Sequence, residues 1–350
     1  MARKKSTNEQ AENEVMDTIS AANPTENNKK QKVSFQDTYE RGFGRIIVKS
    51  NPITSREEAT SAIRMYYDIQ DFRIGAGNRQ FQLDSKDESD KEIESTVKEN
   101  EATNNISFAY AKAGLKDIEE VIASWLEDYV KRDPIGKWLL TVKGIGPVLA
   151  AGFLSYIDIS KCQTAGSIWR YGGIEGHRAP RKKGVKLDYN PHFKVLCWKA
   201  GEQFAKVSGY KKDSDGNILL DENGNPIDRI PDAIYGHLYR EKLKEYIERN
   251  ERGGFTELAA LTLKEKNFEK ETEAKKTYES GKLPMAHMIS MAKRYAEKIF
   301  LSHLFTVWYE YANGRPAPRP FAEVHLGHVH IIEPPHKEIL GLKPGRDSFW

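Results

Sequence analysis

Residues 139–154, LLTVKGIGPVLAAGFL, place two glycines and a proline between two apolar runs with helical spacing. Glycine and proline normally end helices, so the stretch predicts two short helices joined by a tight turn. The residues predicted to pack the two helices and fill the turn are Leu139, Val142, Ile145, Val148, Leu149 and Phe153. With further amphipathic stretches on both sides, the pattern predicts a mainly α fold.

The turn itself has two interpretations. It is either an αα-hairpin whose glycines only make the turn tight, or a helix-hairpin-helix whose backbone N–H groups meet a phosphate. The second is favoured because the N-terminus of a helix attracts anions and a lysine stands beside the turn. The phosphate-contacting residues predicted on this basis are Lys143, Gly144, Ile145 and Gly146.

A basic segment follows the second helix. Between Arg178 and Lys199 lie seven Lys or Arg residues and one acid, Asp188, interleaved with aromatic residues. The stretch GHRAPRKKG, residues 176–184, predicts a flexible basic loop suited to phosphate backbones. Its predicted nucleic-acid contacts are Arg178, Arg181, Lys182, Lys183 and Lys186, whereas Trp169, Phe193 and Trp198 are assigned to the core.

The glycine turn together with this loop, over residues 138–204, resembles the C-terminal domain of the IS110/IS116/IS902-type transposases. The resemblance implies a DNA-binding helix-hairpin-helix domain of mobile-element type. Two departures from the family pattern concern catalysis. Residues 35–140 are too few, and too poor in strand periodicity, for the family's N-terminal RuvC-like domain, and no serine lies between Gly172 and Gly184, where the family has its nucleophile.

Composition limits the class of protein. The chain has 350 residues, a net charge of +3, two cysteines and no apolar run of the length needed to span a bilayer. Two cysteines form neither a disulfide framework nor a four-ligand zinc site by themselves. With no signal-peptide core at its N-terminus, the chain is expected to be cytoplasmic and to have no membrane partner.

The chain divides into six predicted regions. A tail at residues 1–34 lacks aromatic residues and is expected to be disordered. A helix begins at a Ser55–Glu58 capping box and ends near Gly75–Gly77, and another runs from about residue 106 to Pro134. In order, the regions are a disordered tail (1–34), a helical region with an acidic loop (35–105), a transposase-like domain (106–212), a β-hairpin insertion (213–232), a helical extension (233–313) and a proline-rich extended tail (314–350).

Other candidate sites are weaker. Four histidines, His325, His328, His330 and His336, fall within twelve residues and would suit zinc if two shared a strand face, but a proline-rich segment favours ordinary surface histidines. The acids nearest the basic segment, Asp133, Asp158, Glu175 and Asp188, have no spacing that pairs them for Mg²⁺. No catalytic residue, metal ligand or cofactor is therefore predicted.

The favoured function is a DNA-binding protein of mobile-element type without chemistry of its own. One alternative is an active transposase or recombinase whose catalytic site comes from a partner or is unrecognised. Another is an RNA-binding or assembly protein with a purely structural hairpin. Structured RNA, a second copy of the chain and a partner protein all remain open as binding partners.

Overall fold

The computed structural model describes residues 53–89, 98–176, 183–266, 268, 270–318 and 332–343. These residues are mainly helical. The ten α-helices are α1 Arg56–Ser89, α2 Lys98–Arg132, α3 Pro134–Thr141, α4 Pro147–Tyr156, α5 Ala165–Gly172, α6 Pro191–Val207, α7 Ile234–Glu251, α8 Thr256–Glu265, α9 Glu273–Glu279 and α10 Met285–Asn313. Two 3₁₀-helices, Ile159–Lys161 and Lys337–Leu340, complete the set within the described ranges. The predicted disordered tail, residues 1–34, lies outside them.

Helix α1 starts as predicted and ends later. The Ser55 hydroxyl accepts the Glu58 N–H at 3.1 Å and the Glu58 carboxylate accepts the Ser55 N–H at 2.9 Å, which is the capping box. The predicted end near Gly75–Gly77 is wrong, because the helix continues to Ser89. Gly77 has no side chain, and the side chain of Lys112 on α2 lies where one would begin. Packing between the two helices therefore outweighs the weak helix propensity of glycine.

Helices α1 and α2 pack against each other, and an ion pair between Arg73 and Glu119 lies in their interface. Helix α2 begins at Lys98, earlier than the predicted residue 106. The acidic segment 85–105 is therefore helical at 85–89 and 98–105, and residues 90–97 lie outside the described ranges.

The junction of α2 and α3 follows from local sequence. Asp133 caps α3 by accepting the N–H groups of Ile135 at 2.7 Å and Gly136 at 3.1 Å, and Pro134 occupies the first helical position. A Cβ atom at position 136 would lie 2.1 Å from the carbonyl oxygen of Val130. Glycine is therefore required for α3 to pack against the end of α2.

The main hydrophobic core draws residues from α1 to α7 and from α10. Its largest side chains are aromatic, and Phe153 on α4 makes edge contacts with Phe193 on α6 and Phe300 on α10, at centroid distances of 6.0 and 5.1 Å. Helix α10 lies between Pro284 and Gly314, as predicted, and Gly314 ends it with a φ of 62°. A smaller cluster around Phe255, Ala259, Tyr278, Leu283 and Met288 is formed by α8, α9 and their neighbours.

The predicted β-hairpin at residues 213–232 is not confirmed. Three single antiparallel bridges join Tyr210 to Asp228, Lys212 to Ile218 and Leu220 to Pro226. Their backbone hydrogen bonds form a closed ring: residue 211 donates to 227, 227 donates to 219, and 219 donates to 211. Two similar turns, in which Asp213 and Asp221 each accept two backbone N–H groups, produce three short segments instead of two strands.

Residues 332–343, within the predicted extended tail, pack against the helices. The Trp138 indole donates to the Pro335 carbonyl at 2.7 Å, and Lys337 forms a buried ion pair with Glu310 at 2.7 Å. A short 3₁₀-helix lies among these contacts, so this part of the tail belongs to the folded core. No helix in the described ranges has both the length and the apolar character needed to cross a membrane.

Candidate nucleic-acid interface

Buried apolar side chains stabilise the turn between α3 and α4. Leu139, Val142 and Ile145 are buried, as the sequence predicted, and the Ile145 N–H donates to the Val142 carbonyl at 2.9 Å. Ile145 therefore acts as the apolar plug of the turn. Because its N–H group already has an acceptor, the donors available to a ligand belong to its neighbours.

Gly144 is needed for the shape of the turn. Its φ of +99° lies in the region that only glycine adopts without strain. A Cβ atom there would lie 3.4 Å from the Phe204 ring and 3.5 Å from the backbone of Gln203. The turn is therefore seated directly on the C-terminal half of α6.

Gly146 has no such structural requirement. Its φ of −89° and ψ of 175° suit any residue, and a Cβ atom there would meet no other atom within 4 Å. It is exposed and is the N-cap of α4, with Pro147 following and no side chain capping the helix. A glycine at this position leaves the first N–H groups of α4 open to close approach from solvent.

A cavity of about 480 Å³ lies beside the turn. Its lining includes Gly144, Gly146 and the α1 residues Tyr66 and Tyr67, and α6 contributes Trp198, Lys199, Glu202 and Lys206. The only acid among them, Glu202, pairs with Lys293 at 2.5 Å. Lys143 is exposed in the turn itself, so lysine charge predominates around the opening.

The position of Lys199 is fixed by aromatic packing. Its ammonium group lies 4.1 Å from the centre of the Tyr67 ring, which is a cation–π contact. Burial lowers the pKa of Lys199, Asp71 opposes that shift, and Lys206 adds to it. A lysine in these surroundings gains from an incoming anion, because the anion restores the favourable environment of its charged form.

Trp198 corrects a prediction. The sequence assigned it to the core, but 59% of its surface is exposed, whereas Phe193 is fully buried and Trp169 is partly buried against the core. The buried face of α6 passes through Phe193, Cys197, Ala200 and Phe204, and Trp198 lies off that face. Its indole therefore faces the cavity beside the turn.

The described end of the basic segment, from residue 183, leads into the start of α6. Arg178, Arg181 and Lys182 fall outside the described residues, and Lys183 and Lys186 are exposed just before α6 begins. The turn contacts α6 at Gln203 and Phe204, twelve or more residues beyond its start, which corresponds to about 18 Å of helix. Lys183 and Lys186 thus precede α6, whereas the turn contacts the C-terminal half of that helix, and neither lysine lines the cavity beside the turn.

Two of the acids weighed as metal ligands, Asp133 and Asp158, have structural roles. Asp133 caps α3, and Asp158 caps the first 3₁₀-helix, where hydrogen bonds from Ser160 and Lys161 lower its pKa to about 2. Among the residues that the structure covers, no cluster of three His, Cys, Asp or Glu side chains could hold a metal ion. His325, His328 and His330 lie outside that part of the chain, and His336 is 3.7 Å from Glu338.

A larger cavity, of about 650 Å³, lies between α1, α4 and α5 and is lined by Arg56, Asp158, Lys161 and Tyr171 among others. Three of its charged groups, Arg56, Asp158 and Lys161, already have partners. Arg56 donates to the carbonyls of Ser155 and Ile157, and Asp158 contacts Lys161 at 3.0 Å. The cavity beside the turn is therefore the stronger candidate.

The sequence missed several residues of this candidate site. Tyr66, Tyr67 and Lys206 had no assigned role, and Lys199 was counted only as part of a basic segment. The helical period of α6 was an available signal, because the spacing of its apolar residues already places Trp198 away from the core. Comparison of the chain with protein-family models, with curated proteins and with solved structures found no match in any of the three.

Proposed function

We propose that the protein binds DNA by placing a backbone phosphate at the turn between α3 and α4, which acts as a helix-hairpin-helix. Gly146 is the observation that carries the proposal. Neither its backbone angles nor its packing requires glycine, and it leaves the N-terminus of α4 uncovered. A residue without a side chain at this N-cap lets a ligand approach the backbone closely.

Charge around the turn supports an anionic ligand. Lys143 is exposed in the turn, and Lys199 and Lys206 line the cavity next to it. The partial positive charge at the N-terminus of α4 adds to theirs. Contacts of this kind position a protein on DNA without reading its sequence.

Helix α6 offers a path between the turn and the described lysines of the basic segment. His192, Val195, Trp198 and Lys206 lie along its exposed side, with Lys183 and Lys186 preceding it. About 18 Å of helix accommodates several phosphates, since one DNA strand carries one phosphate per roughly 3.4 Å. The proposed role is that of a non-catalytic DNA-binding protein of mobile-element type, related to the transposase domain that residues 138–204 resemble.

Replacing Gly146 by leucine tests the proposal. The variant should bind a duplex oligonucleotide about tenfold more weakly or worse, because losing a hydrogen bond to a charged group removes roughly 1.5–3 kcal/mol. Fluorescence anisotropy at two salt concentrations measures both the affinity and its salt dependence. Wild-type affinity should fall steeply with salt, as expected for phosphate contacts.

The matched control is Gly114→Leu in α2. A Cβ atom at Gly114 also meets nothing within 4 Å, and α2 is remote from the turn in sequence. This variant should bind DNA like the wild type, and circular dichroism should show both variants folded. Equal affinity of a folded Gly146→Leu protein and the wild type would remove the turn as a DNA contact.

A further inference from the structure

The cavity beside the turn combines an aromatic surface with positive charge. The Trp198 indole forms part of its wall and is 59% exposed. Lys199 directly follows Trp198 on α6, and Lys206 lies two turns further along the helix. Both lysines line the same cavity. The cavity volume, about 480 Å³, falls in the range of small-ligand pockets, roughly 300–1,000 Å³.

Duplex DNA has no unpaired base that could enter such a cavity. In a duplex the bases are stacked inside and only backbone and groove edges reach a protein surface. An exposed indole beside lysines is instead the arrangement that binds unpaired bases, because an aromatic ring stacks on any base while the lysines neutralise phosphates.

We infer that this cavity takes an unpaired base from a DNA strand whose backbone phosphate lies at the Gly146 turn, with Trp198 as the stacking surface. This inference rests on the proposed function and specifies its ligand as DNA with a single-stranded segment. Gly146 and Trp198 line the same cavity, so a phosphate at one and a base at the other belong to neighbouring positions of one strand. The carboxylate of Glu202 does not oppose the strand, since Lys293 pairs with it at 2.5 Å.

The wall opposite α6 supports the same ligand. Tyr66 and Tyr67 of α1 line the cavity and meet edge to face, with ring centroids 5.3 Å apart. The Lys199 ammonium lies over the Tyr67 ring at 4.1 Å, which keeps the positive charge at the cavity wall. The cavity thus has aromatic side chains in two of its walls and lysine side chains beside them.

The test compares three DNA probes: a blunt duplex, the same duplex with a single-stranded thymine extension, and the extension strand alone. Trp198→Ala should weaken binding of both probes that contain unpaired bases by at least about fivefold, the lower end of the effect of removing one base–aromatic stack. Binding of the blunt duplex should stay within twofold of wild type. Trp198→Phe should recover most of the affinity, because a phenyl ring still stacks.

Tyr311→Ala is the matched control, since Tyr311 is an exposed aromatic residue of α10 that does not line the cavity. Tryptophan emission gives a second readout. The chain has six tryptophans, and quenching on addition of the extension strand should be smaller in Trp198→Phe at saturating DNA.

The outcomes separate the inference from the function on which it rests. Equal effects of Trp198→Ala on all three probes, or none, would overturn the inference while Gly146→Leu still reports on duplex binding. Tighter, Trp198-dependent binding of a matching RNA extension would overturn the assignment of the ligand as DNA. Failure of every probe to bind would overturn both proposals.

Discussion

Replacing Glu297 by glutamine is expected to stabilise the protein by about 3 kcal/mol at pH 8 and to leave its stability near pH 4.5 unchanged. Glu297 lies on α10, is 5% exposed, and has one carboxylate oxygen, Oε1, without a hydrogen-bond partner among the described residues. Burial raises its pKa from 4.5 to about 7. Glutamine keeps the size of the side chain and removes its charge.

The surroundings of Glu297 explain why its charged form is disfavoured. Its side chain packs against Gly201 of α6, where a Cβ atom would lie 3.4 Å from the glutamate Cδ. Arg294, Lys298 and Lys194 favour the charged form and Glu202 disfavours it, but burial is the largest effect. The group therefore resembles a carboxyl held in an apolar site.

The sign of the pH dependence follows from the two states. The unfolded chain releases this proton near pH 4.5, and the folded chain keeps it until about pH 7. Between these values the folded state binds more protons, so the free energy of unfolding falls as pH rises. His303 contributes in the opposite direction, because burial lowers its pKa to about 4 and stability is lost below about pH 6.5.

Urea denaturation of wild type and Glu297→Gln at pH 4.5 and pH 8 measures the effect. Comparing the two proteins at each pH removes the contribution of His303, which they share. Glu248→Gln, at an exposed position of α7, is the matched control and should change stability little at either pH. A difference between Glu297→Gln and wild type that is the same at both pH values would contradict the explanation.

Removing Lys337 is expected to destabilise the protein by about 3 kcal/mol or more. Its side chain is 7% exposed and contacts the Glu310 carboxylate at 2.7 Å, so Lys337→Ala leaves a largely buried carboxylate without its counter-charge. The same residue holds the 3₁₀-helix of residues 337–340 against α10. The loss should appear as a lower urea midpoint at pH 7.

Two further variants test whether the broken ion pair causes this loss of stability. Glu310→Leu combined with Lys337→Met should recover most of the stability, since replacing both members of a buried pair by apolar side chains is close to neutral. Lys343→Ala, at an exposed lysine of the same segment, should have almost no effect. A loss in Lys343→Ala as large as in Lys337→Ala would show that the ion pair is not the cause.

Elements with local signals were predictable from sequence. The limits of α10 follow from Pro284 and Gly314, and the start of α3 follows from Asp133 and Pro134. Helix α1 was predicted too short because Gly75 and Gly77 suggested an end. Only packing against α2, which no local pattern encodes, shows why the helix continues.

The candidate site was predicted in part for a similar reason. The glycine turn is a local motif, and its packing by Leu139, Val142 and Ile145 is as expected. The cavity beside it is built from α1, α4 and α6, which are far apart in sequence. Its aromatic wall emerges only when those helices are assembled.

The hydrogen bonds of His303 give the folded protein a built-in spectroscopic reporter. The ring nitrogen Nε2 lies 2.7 Å from the Ile332 carbonyl oxygen, and Nδ1 lies 2.8 Å from the Tyr235 hydroxyl. A carbonyl can only accept, so the proton resides on Nε2 and Nδ1 accepts from the tyrosine. The imidazole ¹⁵N chemical shifts therefore report one fixed tautomer while residue 332 is seated. Their movement toward the values of a freely exchanging ring would signal release of the C-terminal segment before any helix unfolds.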